Sequence, residues 1–246
     1  MHELTSFQWV IMALAAMIIG LSKSGLPGMG ILAIPMVAAV IPAKISTGFI
    51  LPMLIAGDMI GVFYYRRHAD WPRLLKLFPW TVIGIFAGWF SMDRLNDAQI
   101  RPLIGGIVLV MLALNLWRQR FANPESRLQH HHGVAIIIGL LAGFTTMMAN
   151  AAGPIMGIYL LAMDLPTTAF IGTSAWFFFL VNTFKVPFSA QLGLITANSL
   201  TFNAMLLPFI ALGAWVGIRF ARHIPRLLFE RLVQIFAALG AIKLFF

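Results

Sequence analysis

The chain has 246 residues, 60% hydrophobic and 10% charged, with a mean hydropathy of +0.89, an apolar surplus that exceeds what a soluble domain of this length needs for its core and predicts a polytopic membrane protein. A net charge of +9 would point to nucleic acid in a soluble protein. Here the basic residues cluster in short loops between apolar runs, as the positive-inside rule expects, so no nucleic-acid partner is expected. Cysteine is absent, which excludes disulfides, thiolate catalysis and cysteine-held metal or iron–sulfur centres.

Met1-His2-Glu3 lacks a basic leader and no small-residue cleavage site follows, so the first span is expected to be retained. That span is predicted as a helix from Phe7 to Leu21, interrupted by Ser22-Lys23-Ser24-Gly25-Leu26-Pro27-Gly28-Met29-Gly30. A short helix from Ile31 to Ile41 follows, then spans at Ile45–Tyr65, Leu74–Phe90 and Ile100–Trp117. A polar linker, Arg118 to His132, carries Pro124 and three consecutive histidines. The pattern then recurs. A helix from Gly133 to Met147 meets a break at Met148-Ala149-Asn150-Ala151-Ala152-Gly153-Pro154, and a short helix from Ile155 to Met163 leads to spans at Thr168–Pro187, Ser199–Phe220 and Leu227–Phe246. Gly and Pro interrupt both runs because one lacks a Cβ and the other an N–H. Unwound backbone at membrane depth survives only beside protein or a water-filled cavity.

Register supports an internal repeat. Pro42, Gly48 and Asp58 align with Pro166, Gly172 and Asn182 at an offset of 124, and Gly84 and Gly88 align with Gly213 and Gly217 at 129. The four-residue glycine spacing, also present in Gly57/Gly61 and Gly139/Gly143, lets helices approach closely. Segments 66–76, 118–132 and 219–231 hold eleven of the 17 Lys and Arg, whereas 189–198 is uncharged and 91–101 is balanced. If the basic segments share the cytoplasmic face, each break must turn the chain back, and an odd number of membrane segments per half inverts the second half. The expected fold is therefore an all-α polytopic membrane protein built from two inverted-topology repeats, each a broken or re-entrant helix hairpin plus three spanning helices. The divisions are residues 1–118, a cytoplasmic linker at 119–132, and 133–246, with both termini on the outer face.

Paired helix breaks point to the binding site of a secondary transporter. At the first break, Lys23, the hydroxyls of Ser22 and Ser24, and the backbone of Gly25, Gly28 and Gly30 at a helix start make an oxyanion site. The alternative for Lys23 is a side chain snorkelling to a headgroup. At the second, Asn150 and Gly153 are the neutral counterpart, with Thr145 and Thr146 one turn earlier; the alternative for these residues is interhelical hydrogen bonding. Asp58 and Lys185 are ionisable inside predicted spans and must face the interior or a partner. Lys185, with Asn182 one turn before it, is a second anion ligand; Asp58 is a proton carrier or a structural counter-ion. Gly28-Met29-Gly30-Ile31-Leu32-Ala33 matches a dinucleotide fingerprint on paper, but no strand precedes it and no acidic residue follows at the required distance. The triple histidine lacks neighbours in ligand spacing, and no paired acids or Ser/His/Asp set suggests catalysis. No cofactor, metal or enzymatic activity is expected.

The string from Gly20 to Gly30 with Pro35 and Pro42, Gly57-Asp58 and the Tyr64-Tyr65-Arg66-Arg67 exit resembles the first repeat of the TauE/SafE sulfite exporter family. Asn150 to Gly153 and Asn182 to Pro187 resemble its second. The resemblance implies a multi-pass permease of the bacterial inner membrane that exports sulfite, organosulfonates or related small anions. Its partners are then a small anionic substrate and the lipid bilayer, with a homo-oligomer left open. The rival readings are an anion channel, an importer of another small organic anion, an intramembrane enzyme, and a structural subunit.

Overall fold

The computed structural model describes residues 5–24, 29–65, 67–121, 132–163, 165–220 and 226–246. Helix α1 (Ser6–Ser24) is followed by a 3-10 turn (Met29–Leu32), α2 (Ala33–Ala38), α3 (Ala43–Tyr65), α4 (Trp71–Arg94) and α5 (Asp97–Phe121). The second half contains α6 (His132–Ala149), α7 (Gly153–Ala162), α8 (Thr167–Gln191), α9 (Ala197–Phe220) and α10 (Arg226–Lys243). Helix is the sole regular structure among the described residues, and α1, α3, α4, α5, α8 and α9 are long and apolar enough to cross a membrane. The chain is a multi-pass α-helical membrane protein.

Local chemistry carries α1 and α6 further into the expected breaks than apolar length suggests. Helix α1 runs to Ser24 rather than ending at Leu21, because Ser22 Oγ donates to the Ile19 carbonyl at 2.8 Å and Ser24 Oγ to that of Gly20 at 3.0 Å. These bonds occupy carbonyls at a helix end, and Lys23 adds a cation where the dipole is negative. Lys23 is thus helical, not unwound, which corrects the expectation from the sequence. Gly25, Leu26, Pro27 and Gly28 lie outside the described residues. Helix α6 similarly runs past Met147 to Ala149 and ends at Asn150, whose φ of 54° is left-handed. Asn tolerates that region better than other residues with a Cβ, and its N–H closes the helix on the Thr146 carbonyl at 3.0 Å.

Helices α2 and α7 fold back on α1 and α6 respectively, so each break forms a hairpin. The heaviest packing joins α4 to α6, α1 to α9, and α3 to α8. Glycines make the first two possible. A Cβ on Gly84 would strike the α6 backbone at Leu140, and one on Gly143 the α4 backbone at Thr81; likewise Gly20 faces Ile210 and Gly213 faces Met17. These contacts run α4 parallel to α6 and α1 parallel to α9. Helices α3 and α8 are antiparallel: Gly48, early in α3, lies against Leu194 beyond α8, while Gly172, early in α8, lies against Tyr65 and His68 beyond α3.

The ends of the molecule follow from these directions. Lys44 N donates to Asp97 Oδ1 at 2.8 Å and Lys44 Nζ to the Leu95 carbonyl at 2.7 Å, which gathers the α4–α5 corner beside the start of α3 and the α8–α9 turn. At the opposite end Asp70 N donates to Thr173 Oγ1 at 2.8 Å, and the Tyr159 hydroxyl donates to the Arg73 carbonyl at 3.3 Å. The near-neutral turns therefore share one end, and the described flanks of the basic segments share the other. Large apolar side chains such as Phe7, Phe63, Leu75, Ile137 and Phe236 remain exposed on the outside, which suits contact with lipid rather than water.

Candidate functional site

Where α3 and α8 cross midway, the aligned residues Asp58 and Asn182 touch: Asn182 Nδ2 donates to Asp58 Oδ2 at 2.7 Å. Because Asp58 is the acceptor, the Asn182 amide must turn its oxygen the other way, where it accepts from Lys185 Nζ at 3.3 Å. The other carboxylate oxygen, Oδ1, lies 2.7 Å from Lys23 Nζ and takes no aligned hydrogen bond beyond that ion pair. One continuous polar chain thus runs from Lys23 on α1 through Asp58 and Asn182 to Lys185.

Lys185 carries the chain to the second break. Its ammonium donates to Asn150 Oδ1 at 2.6 Å, the Thr146 carbonyl at 2.8 Å and Thr146 Oγ1 at 3.1 Å. Asn150 Nδ2 in turn donates to the Thr47 carbonyl on α3 at 2.9 Å. An ammonium has three donors and no acceptor, and every nearby partner of Lys185 is a neutral oxygen. Three network side chains, Asp58, Asn182 and Lys185, are each 1% exposed, whereas the side chain of Lys23 is 15% exposed. Of the two lysines, Lys23 is the more accessible.

The surroundings of Lys23 fix its position. A Cβ on Gly57 would come 3.1 Å from Lys23 Cγ, and one on Gly61 would come 3.0 Å from the Lys23 carbonyl. The glycine pair thus makes room for the lysine and its helix end. The Phe178 ring lies 4.3 Å from Nζ, within reach of a cation–π attraction. Lys23 therefore points inward to Asp58, which rejects the snorkelling alternative.

The remaining expected residues divide. Ser22 and Ser24 are buried beside the site, but their hydroxyl hydrogens are given to α1 carbonyls, leaving lone pairs that repel an anion. Their expected role as hydroxyl donors is not met in this conformation. Gly30 sits against Ser22, where a Cβ would come 3.0 Å from its Oγ. Gly153 opens α7 with nothing within 4 Å of an added Cβ, so space lies beside the second break. Gly25 and Gly28 lie outside the described residues, as do His130 and His131; His132 opens α6. Among the described residues no group of three or more His, Asp or Glu is placed to hold a metal ion. Sequence reasoning missed Phe178 and the Thr47 carbonyl. An aromatic in an apolar helix gives no sign of its facing cation, and a backbone acceptor gives none at all.

The model of the sulfite exporter TauE/SafE family matches residues 12–244, nearly the whole chain. The chain belongs to that family. It is a membrane transporter of the sulfite-exporter type, not an enzyme. No curated protein and no solved structure matches it. The TauE/SafE match spans both hairpins and every residue of the Lys23–Asn150 network.

Proposed function

We propose that the chain is a secondary transporter that exports small sulfur-containing anions, such as sulfite or organosulfonates, across the bacterial inner membrane. The observation that carries this reading is the buried charge. Two lysines and one carboxylate meet at the crossing of α3 and α8, and with all three ionised they leave one positive charge that no other protein group among the described residues offsets. Sealing a net charge in a membrane interior is costly. A bound anion removes that cost, which is why such a cluster selects for one. Lys23 and Lys185 supply the charge, Asn150 and Asn182 orient it, and the backbone around Gly30 and Gly153, together with Gly25 and Gly28, completes the site.

The reading of the halves as inverted repeats, residues 1–118 and 133–246 joined by a cytoplasmic linker at 119–132, draws support from the same contacts. The pair α1–α9 mirrors α6–α4, with Gly20 and Gly213 in the places of Gly143 and Gly84. Asp58 and Asn182, equivalent in the repeat, lie on the relating axis. Such an axis lets one central site open alternately to either face. By the positive-inside rule the end with the basic segments faces the cytoplasm, and both termini face the periplasm.

The test is transport in proteoliposomes, preceded by a binding screen against sulfite, sulfoacetate, taurine and simple carboxylates. Flux of the tightest-bound anion should saturate, and Lys185→Gln, which removes the uncompensated positive charge, should weaken binding by at least about tenfold. Flux that rises without saturation would make the protein a channel. Unchanged binding in Lys185→Gln would remove the site.

A further inference from the structure

Asp58 stands in the position of a bound anion. Its Oδ1 faces Lys23 Nζ at 2.7 Å, as a substrate oxygen would, and Asn182 holds its other oxygen. The remaining acidic side chains with described surroundings are engaged elsewhere or lie at helix ends: Asp70 bonds Arg73, Asp97 accepts from Lys44 N, and Asp93 sits in the exposed last turn of α4. Among the described residues, the charge at the crossing is therefore the sum of Lys23, Lys185 and Asp58 alone. Lys185 is sealed at 1% exposure and Lys23 is the more exposed of the two ammonium groups, so an entering anion meets the one ammonium that Asp58 already holds.

We propose that Asp58 is an internal competitor for Lys23 that sets the charge of the transported anion at minus one. This rests on the reading of the network as the anion site and adds the charge class of its substrate. A monoanion leaves the cluster neutral. A dianion leaves a buried negative charge, with Asp58 and the substrate repelling each other across Lys23, and burial of uncompensated charge is strongly disfavoured. Sulfonates, hydrogensulfite and simple carboxylates fit this rule, and the fully ionised sulfite dianion does not.

Methanesulfonate and sulfate are suitable probes, since both are built on tetrahedral sulfur and differ in charge. Titration of the purified full chain, at a pH where both are fully ionised, should show methanesulfonate bound at least tenfold more tightly. Asp58→Asn raises the cluster by one positive charge and should reverse that order. Lys23→Met makes the cluster neutral and should lose both ligands. If Asp58→Asn alone does not fold, the wild type decides the matter with methylphosphonate, whose binding should weaken as rising pH converts its monoanion to the dianion while methanesulfonate binding over the same range does not. A wild type that prefers sulfate, an unchanged order in Asp58→Asn, or methylphosphonate binding that does not weaken with its second ionisation would overturn the charge rule while the anion site stands. Binding of neither probe by the wild type would overturn the site and the rule together.

Discussion

Asn150 holds the second break together in three ways. It takes the left-handed turn that ends α6, its Nδ2 ties that turn to Thr47 on α3, and its Oδ1 receives Lys185. Replacement by Ala or Gly removes both side-chain bonds, but Ala also pays the left-handed backbone cost of roughly 1–2 kcal/mol that Gly escapes. Thermal unfolding in detergent should therefore rank wild type above Asn150→Gly and Asn150→Gly above Asn150→Ala; an Ala variant as stable as Gly would contradict the turn. Lys23 is constrained differently. Its loss leaves Asp58 charged, buried and without its ion pair, so Lys23→Ala should cost about 3–5 kcal/mol, and the double change Lys23→Met with Asp58→Asn should recover most of it. Equal melting of the single and double variants would deny the pair its structural role. At this scale the sequence exposes the participants but not the partners. The register aligned Asp58 with Asn182, yet their contact depends on α3 and α8 crossing antiparallel at their middles, which one sequence does not state. Lys23 had a snorkelling alternative until its direction was known.

Between elements, glycine placement carries the packing. Gly84 and Gly143 bring α4 and α6 together, as Gly20 and Gly213 do for α1 and α9, because lipid provides no hydrophobic drive and close backbone contact must substitute for it. Gly143→Val would push a side chain into the α4 backbone and should abolish a monodisperse peak in fluorescence-detected size-exclusion chromatography. Gly106→Ala is the control, since its added carbon meets nothing closer than Phe245 at 4.0 Å. Loss of the peak in both, or in neither, would separate stability from these crossings. The four-residue glycine spacings marked such sites in advance, except that Gly57 and Gly61 accommodate Lys23 and its helix end. Helix limits were legible to within four residues. The errors at Leu21 and Met147 arose because apolar length cannot register serine hydroxyls bonding back to carbonyls or an asparagine able to turn left-handed.

Across the whole molecule, loop charge alone assigned the ends, since basic and neutral connections alternate and the helix directions gather them at opposite ends. The chain has no cysteine, so single cysteines can report each face without background. Gln191→Cys, at the neutral end, should react with an impermeant maleimide in intact spheroplasts, and His68→Cys, at the basic end, should react only after lysis; the reverse pattern would invert the topology. What the sequence left open was which polar residues share a space, since Gly153 and Lys23 approach the crossing from different hairpins and different halves. The central claim is that this space is an anion site reached in turn from both faces. Gly153→Cys tests it most directly, because a side chain there meets open space. In proteoliposomes of known orientation, the account predicts that this cysteine reacts with an impermeant thiol reagent from either side, and that saturating anion protects it from both. A cysteine that reacts from neither side, or that reacts equally with and without anion, would contradict it.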